Sequence, residues 1–159
     1  MLAKQFLFKK IDIENFDEIS EELIEYSNNN LPIDFNGDFY KFNFEDVLRK
    51  CPLIREWFKL KKVSPNVCAI IITNNKPYLE GMHTDKHKNH LALNFGISVP
   101  PESYTGLYKL IDGQYTELDR YYLDGPIILN TKISHWVYTP SLRLVMTFRF
   151  AIDPWKLVL

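Results

Sequence analysis

The stretch LALNFGISV at residues 91–99 decides the fold, because bulky apolar side chains alternate in it with small or polar ones. The bulky positions are Leu91, Leu93, Phe95 and Ile97. The intervening positions are Ala92, Asn94, Gly96 and Ser98. Successive side chains of an extended chain point to opposite faces, so this period of two predicts a β-strand with one face on the core.

Six further segments have a β pattern, either as apolar runs or as alternating ones. They are residues 67–73, 107–111, 114–118, 127–130, 134–139 and 142–150. The pair Asp112-Gly113 joins two of these segments and is a strong signal for a tight β-hairpin. About seven short strands separated by turns predict a double-stranded β-helix, the cupin-like jelly roll.

The first 62 residues show helical spacing instead. Asn15 is a candidate cap for a helix whose apolar residues recur every three or four positions. These residues are Phe16, Ile19, Leu23 and Tyr26. A second helix is expected after Asn43, with an interruption at Pro52 and a continuation over residues 53–60.

The predicted fold class is therefore mainly β with N-terminal helices that pack on one sheet of the jelly roll. We expect one domain over residues 1–159, because the helical part has too little apolar surface to fold alone. In this domain the helical part, residues 1–62, packs on a jelly-roll core formed by residues 63–155.

Composition argues against several function classes. The 159 residues carry 19 basic and 20 acidic side chains, which gives a net charge of −1. The chain therefore lacks the excess of basic residues that is typical of nucleic-acid-binding proteins. No stretch approaches the ~20 apolar residues of a membrane span. Cys51 and Cys68 form neither a CxxC pair nor a disulfide framework, which favours a reducing compartment. We expect a cytoplasmic protein with no nucleic-acid or membrane partner.

The candidate chemistry lies in His83-Thr84-Asp85 and in the distant His135. Two histidines and one carboxylate form the facial ligand set that binds Fe(II) and leaves the opposite face open. His83 and Asp85 are two residues apart, so an extended segment presents both on one side. His135 would come from the start of a later strand, which is a rigid mounting.

Two other interpretations of these residues stay open. His87 and His90 are nearer in sequence to His83 than His135 is, and with His83 and Asp85 they could form a zinc site. We interpret both as residues of a solvated loop. The second alternative is an ordinary jelly roll in which His135 is a structural histidine.

Arg143 is predicted to face the interior. In the segment 142–150, Arg143 shares a face with Val145, Thr147 and Arg149, whereas the other face is bulky and apolar. A buried guanidinium needs an anion, which a bound carboxylate could provide. The alternative is a structural salt bridge or a solvent-facing side chain. Arg149 is close to the strand end and is assigned a structural role.

These residues resemble the Fe(II)/2-oxoglutarate-dependent oxygenases, in which an HxD pair is followed by a distant histidine and then by a basic residue on the final strand. The resemblance covers roughly residues 67–155. It implies that His83, Asp85 and His135 hold Fe(II). It further implies that Arg143 pairs with the far carboxylate of 2-oxoglutarate. By the same resemblance, O2 is the second cosubstrate and the reaction hydroxylates a C–H bond of the substrate.

A local likeness to the aspartyl/asparaginyl β-hydroxylase branch lies in His83-Thr84, in residues 91–100 and in Asp153-Pro154-Trp155. In that branch a basic residue on the first of these strands helps to bind 2-oxoglutarate, and Asn94 occupies the similar position here. The chain departs from the branch at Asp85, where the branch has glycine, and at Asn94, which is uncharged. The likeness favours a protein side chain as substrate, with a small molecule as the alternative.

Two rival functions follow from the same residues. The chain could be a catalytically inactive, cupin-like binding or structural protein of the same fold, or a metal-dependent cupin enzyme that does not use 2-oxoglutarate. An inactive protein of this fold would have no reason to keep both the triad and Arg143. If the chain is instead a metal-dependent enzyme without 2-oxoglutarate, we expect that Arg143 does not face the metal. Tyr78, Tyr104 and Trp136 are candidates to line the mouth of the site.

Overall fold

The computed structural model describes residues 6–75 and 80–159, which form two antiparallel sheets and three helices in the manner of a β-sandwich. The helices are α1 (Phe16–Asn30), α2 (Phe44–Lys50) and α3 (Pro52–Lys61). The strands are β1 (Phe8–Lys10), β2 (Phe39–Phe42), β3 (Pro65–Thr73), β4 (Leu91–Ser98), β5 (Tyr104–Ile111), β6 (Gln114–Tyr121), β7 (Ile127–Asn130), β8 (Ser134–Tyr138) and β9 (Arg143–Phe150). All seven predicted strands are present.

The larger sheet has six strands in the order β1-β7-β4-β9-β3-β2, and the smaller sheet has three in the order β6-β5-β8. Strands β1 and β2 were not predicted, because they lie in the part of the chain that was assigned as helical. They occupy the two edges of the larger sheet. Strand β9 lies near its centre, between β4 and β3, so its side chains have a rigid mounting.

The helices cover the outer face of the larger sheet. The apolar side chains of α1 and α3, such as Leu23 and Ile54, share a buried cluster with Leu93, Phe95 and Phe148. The bulky faces of β4 and β9 therefore point toward the helices, as their alternation predicted, and their small and polar faces point toward the other sheet. The bounds of a single domain over residues 1–159 stay a prediction.

The helix boundaries follow local chemistry. Asn43 caps α2, because its side chain accepts a hydrogen bond from the Asp46 backbone N–H at 3.1 Å. Asn15 stands at the corresponding position of α1, but its side chain makes no capping hydrogen bond, so the predicted cap is wrong in this respect. Pro52 begins α3, where its missing N–H costs nothing.

None of the helices in the described part of the chain is long and apolar enough to cross a membrane.

Candidate metal centre

Two histidines from distant parts of the chain face each other across a short antiparallel bridge. The His83 backbone N–H donates to the His135 carbonyl at 3.1 Å, and the His135 N–H donates back at 2.9 Å. A directly opposed pair of this kind places both side chains on the same face of the sheet. The two imidazole rings are therefore neighbours, with centroids 4.3 Å apart.

Asp85 completes the group. It lies two residues after His83, and its backbone N–H donates to the Thr131 carbonyl at 3.0 Å, a second backbone contact between the two segments. One ligand atom from each of His83, Asp85 and His135 lies within 4.8 Å of the others. The structure thus brings together the three residues that were predicted as ligands, and this arrangement could hold a metal ion.

The backbone determines which nitrogen of each ring is available. Nδ1 of His83 lies 2.8 Å from the Gly81 carbonyl, and Nδ1 of His135 lies 2.8 Å from the Ile133 carbonyl. A carbonyl oxygen only accepts, so each Nδ1 carries the proton and each Nε2 points into the site. Hydrogen bonds of this kind orient metal-binding histidines.

The Asp85 oxygen and the two imidazole nitrogens lie so close together that a positive charge is needed among them. Oδ1 of Asp85 lies 3.3 Å from Nε2 of His135 and 3.4 Å from Nε2 of His83. In neutral rings with the proton on Nδ1, both Nε2 atoms and the carboxylate oxygen present lone pairs to one another. Protons on the rings or a metal cation would remove that repulsion.

Arg149 lies in the site, although the sequence assigned it only a structural role near the strand end. Its Nη1 donates to Oδ2 of Asp85 at 2.7 Å, and its side chain is 8% exposed. Burial alone would raise the pKa of the Asp85 carboxyl. When the rings are protonated, hydrogen bonds from His135 and His83, together with the charge of Arg149, outweigh burial and hold that pKa well below its usual range.

Side chains around the site hold the segment that follows Asp85. The ammonium group of Lys132 donates to the Asp85 carbonyl at 3.1 Å and also to the carbonyl of His87. The carboxylate of Asp153 accepts the backbone N–H groups of His90 and Leu91, at 2.8 and 3.0 Å. Asp85 is therefore held by backbone and side-chain contacts at once.

The triad opens into a cavity of about 530 Å³ between the two sheets, a volume in the usual range for small-molecule sites. Strands β4 and β9 of the larger sheet contribute Ala92, Asn94, Arg143, Val145, Thr147 and Arg149 to its lining. The smaller sheet contributes Thr105, Tyr121, His135, Trp136 and Val137. The inward direction predicted for Arg143 and Asn94 is confirmed.

Arg143 is 4% exposed and lacks an acidic partner among residues 6–75 and 80–159. Its Nη2 reaches the Thr105 hydroxyl at 3.4 Å, and its Nε has no hydrogen-bond partner in those ranges. Burial lowers the pKa of this guanidinium. The salt bridge considered as an alternative is not found in the described residues.

Polar groups surround Arg143. Burial raises the pKa of the Tyr121 phenol, while hydrogen bonds with Thr105 and Asn94 and the charge of Arg143 act in the opposite direction. Oδ1 of Asn94 is buried and has no partner in the described part of the chain. This end of the cavity therefore offers one cation and several neutral hydrogen-bonding groups.

The other predicted residues divide between the cavity and the outer surface. His87 lines the cavity and its Nδ1 accepts the Asn89 N–H at 3.2 Å, but neither it nor His90 belongs to a group of metal-binding side chains within the described residues. Trp136 lines the cavity, whereas Tyr104 packs on Tyr138 and Arg120 outside it. Tyr78 lies outside the described residues.

Sequence reasoning missed Thr105, Tyr121 and the role of Arg149. Alternation gave a usable signal only for Arg149, because Arg143 and Arg149 are six residues apart on one strand face. Thr105 and Tyr121 come from the smaller sheet, where they are paired across β5 and β6. No local pattern distinguishes them from other polar strand residues.

Comparisons with known proteins give little further information. No family model matches the chain, and no curated protein matches it. One similar solved structure is the X-ray structure of E. coli ycfD, with a TM-score of 0.48 and 10% sequence identity. The similarity covers 80% of this chain and 38% of that one. A similarity at this level assigns neither a family nor an activity.

Proposed function

We propose that this chain is a non-haem Fe(II)- and 2-oxoglutarate-dependent dioxygenase that hydroxylates a C–H bond, and that its two sheets form a jelly roll. One observation carries the proposal. The triad of His83, Asp85 and His135 and the buried Arg143, which lacks an acidic partner among the described residues, line the same cavity. The first group suits a divalent metal, and the second suits an organic anion next to it.

The residues fit Fe(II) by their donor chemistry. Two imidazole nitrogens and one carboxylate oxygen are the ligands of the facial triad, and the hydrogen bonds on both Nδ1 atoms leave Nε2 of each ring for the metal. His83, Asp85 and His135 would hold the ion. Fe(II) and 2-oxoglutarate, when bound, would supply oxygen activation coupled to decarboxylation.

The Arg143 end of the cavity suits a carboxylate. A guanidinium binds a carboxylate through two parallel hydrogen bonds, and burial strengthens such a pair. The Thr105 and Tyr121 hydroxyls can donate to the same oxygens, and the Asn94 amide can orient the rest of the molecule. These groups would bind and direct 2-oxoglutarate.

The same observation weighs against the two rivals. An inactive binding protein has no reason to bury an arginine without an acidic partner in the cavity that also holds the triad, because such a group destabilises the fold. A metal-dependent enzyme that does not use 2-oxoglutarate would not need Arg143 in the cavity. The substrate is proposed to be a protein side chain or a small molecule.

The test is anaerobic addition of Fe(II) and then 2-oxoglutarate to the metal-free protein, followed by visible absorption. We expect a weak metal-to-ligand charge-transfer band that needs both additions. His135→Ala should abolish Fe(II) binding, whereas Arg143→Met should keep Fe(II) and weaken 2-oxoglutarate by at least ~10-fold, since a charged hydrogen-bonded pair contributes more than about 1.4 kcal/mol.

Two matched variants serve as controls. His90→Ala removes a histidine that does not belong to the ligand group, and Arg49→Met removes an exposed arginine from α2. Both should bind Fe(II) and 2-oxoglutarate as the unaltered protein does. A chain that gives no band and no metal-dependent change in stability is not this enzyme, and normal Fe(II) binding by His135→Ala would show that the ligands are wrongly assigned.

A further inference from the structure

The two oxygens of Asp85 have different partners. Oδ1 faces both imidazoles, at 3.3 Å from Nε2 of His135 and 3.4 Å from that of His83. Oδ2 points away from them and accepts a hydrogen bond from Nη1 of Arg149 at 2.7 Å. Only one carboxylate oxygen is therefore directed at the position where a metal would bind.

Arg149 is itself held in place. Its Nη2 lies 3.2 Å from the Thr131 hydroxyl and 3.3 Å from the Asn89 carbonyl, so the planar guanidinium has fixed acceptors on the side away from Asp85. The Thr131 hydroxyl in turn donates to the His90 carbonyl at 3.1 Å. Because this planar group is anchored on both sides, it cannot follow Asp85 if the carboxylate turns.

Rotation of Asp85 would consequently break a short, charged hydrogen bond in a mostly buried place. Breaking it would leave Arg149 as a buried cation without its anion, which is strongly unfavourable. Metal ions differ in how much they gain from such a rotation. Calcium and manganese favour oxygen ligands, and calcium commonly takes both oxygens of one carboxylate, whereas nickel accepts imidazole readily.

We propose that Arg149 is a positioning residue that keeps Asp85 a one-oxygen ligand and thereby makes the site discriminate against larger, oxygen-seeking cations. This inference rests on the proposed function only in that the triad must bind a metal. It adds a determinant of metal choice that lies outside the three ligands. It also gives Arg149 a function that a simple structural ion pair would not have.

The experiment measures Ni(II) and Mn(II) dissociation constants of the full, metal-free chain in competition with a metal indicator. The informative quantity is the ratio of the Mn(II) constant to the Ni(II) constant. Removing the charge of Arg149 changes the attraction for both dications alike, so the ratio isolates the geometry of the carboxylate. In Arg149→Met, the ratio should fall by about tenfold or more, equivalent to one extra metal–oxygen contact of about 1.4 kcal/mol for Mn(II).

Two further variants keep the proposal testable even where Arg149→Met folds poorly. Arg149→Lys retains a cation that can donate to Oδ2 and should preserve the ratio within about threefold, or ~0.7 kcal/mol. Thr131→Val removes one anchor of the guanidinium and should lower the ratio in the same direction as Arg149→Met. Arg143→Met controls for the loss of an equally buried cation from the same strand face and should leave the ratio unchanged.

An unchanged ratio of the two dissociation constants in Arg149→Met and Thr131→Val would overturn the inference. This holds also where the affinities for Ni(II) and Mn(II) both fall by the same factor, because Arg149 would then only stabilise the fold. Failure of the unaltered protein to bind either metal is a separate result, since it would overturn the proposed function itself.

Discussion

At the scale of single residues, the cavity is marked by buried polar atoms that the fold does not satisfy. Oδ1 of Asn94, Nε of Arg143 and Nε of Arg149 have no hydrogen-bond partner among the described residues. Each such atom costs about 1–3 kcal/mol when it is removed from water. All three side chains line the cavity. A bound polar ligand could supply the missing hydrogen bonds and offset this cost, whereas an apolar core could not.

The two cysteines show the opposite behaviour, because they belong to the apolar core. Cys51 and Cys68 are fully buried in the described structure. Burial raises the pKa of the Cys51 thiol to about 12, and burial raises that of Cys68 further. Since the thiolate is the reactive form, the native protein at pH 8 should not react with Ellman's reagent, whereas the protein in guanidinium should release two equivalents.

The control for this prediction is the rate of reaction in intermediate denaturant. The rate should rise only as the protein unfolds, measured in parallel by circular dichroism. Rapid stoichiometric labelling of the native chain would mean that the helices do not seal the sheet at Cys51 and Cys68.

The residues of the site divide into those that local sequence reveals and those that it does not. His83, Asp85 and His135 could be predicted from residue type and order, and Arg143 from the alternation of its strand. The partnership of Arg149 with Asp85 spans 64 positions in the chain. Such a contact depends on how strands are arranged in the sheet, and no local pattern encodes that arrangement.

At the scale of elements, the strands that were predicted have either strict alternation or strong turn signals. The two that were missed, β1 and β2, have three and four residues and lie at the edges of the larger sheet. Strand β1 pairs with β7, as in Phe8 opposite Leu129. Short edge strands form because a partner is present, so their own sequence carries little information about them.

The hairpin between β5 and β6 allows a direct test of turn chemistry. Asp112 and Gly113 have φ values of 51° and 78°, as a tight hairpin turn of this hand requires. A Cβ on Gly113 would meet nothing within 4 Å, so the cost of Gly113→Ala is conformational alone. We expect the free energy of unfolding, measured by urea denaturation, to fall by about 1 kcal/mol.

Gly125→Ala is the matched control. A Cβ there would also meet nothing within 4 Å, and the φ of Gly125 is outside the left-handed region. This variant should be neutral or slightly more stable, because alanine restricts the unfolded chain. Equal effects of the two substitutions would mean that the backbone conformation of Gly113 is not what makes glycine favourable there.

At the scale of the whole molecule, the apolar core and the candidate site lie on opposite faces of the larger sheet. The larger cluster of buried side chains lies between the helices and the outer faces of β4 and β9. The inner faces of the same strands carry the cavity residues. Because most of the apolar burial is on the helical side, the inner face can hold charged groups without loss of the fold.

This separation leads to a prediction about metal and stability. The triad joins the segment containing His83 and Asp85 to His135 on β8, so a bound metal stabilises the folded state against unfolding. At a free metal concentration 100 times the dissociation constant, the gain is about 2.7 kcal/mol, which corresponds to a rise in Tm of roughly 5–10 °C for a chain of this size. Differential scanning fluorimetry with Ni(II), followed by EDTA, measures this rise and its reversal.

The pH dependence has a definite sign. Metal binding needs both imidazoles neutral, so protons compete with the metal, and the Ni(II)-dependent rise in Tm should shrink as the pH is lowered from 7.5 to 5.5. Asp85 does not add to this loss, because its pKa lies well below the usual range and the carboxylate stays ionised throughout. His135→Ala should show no rise at either pH, whereas His90→Ala should behave like the unaltered protein. A rise that is independent of pH, or one that persists in His135→Ala, would place the metal elsewhere on the chain.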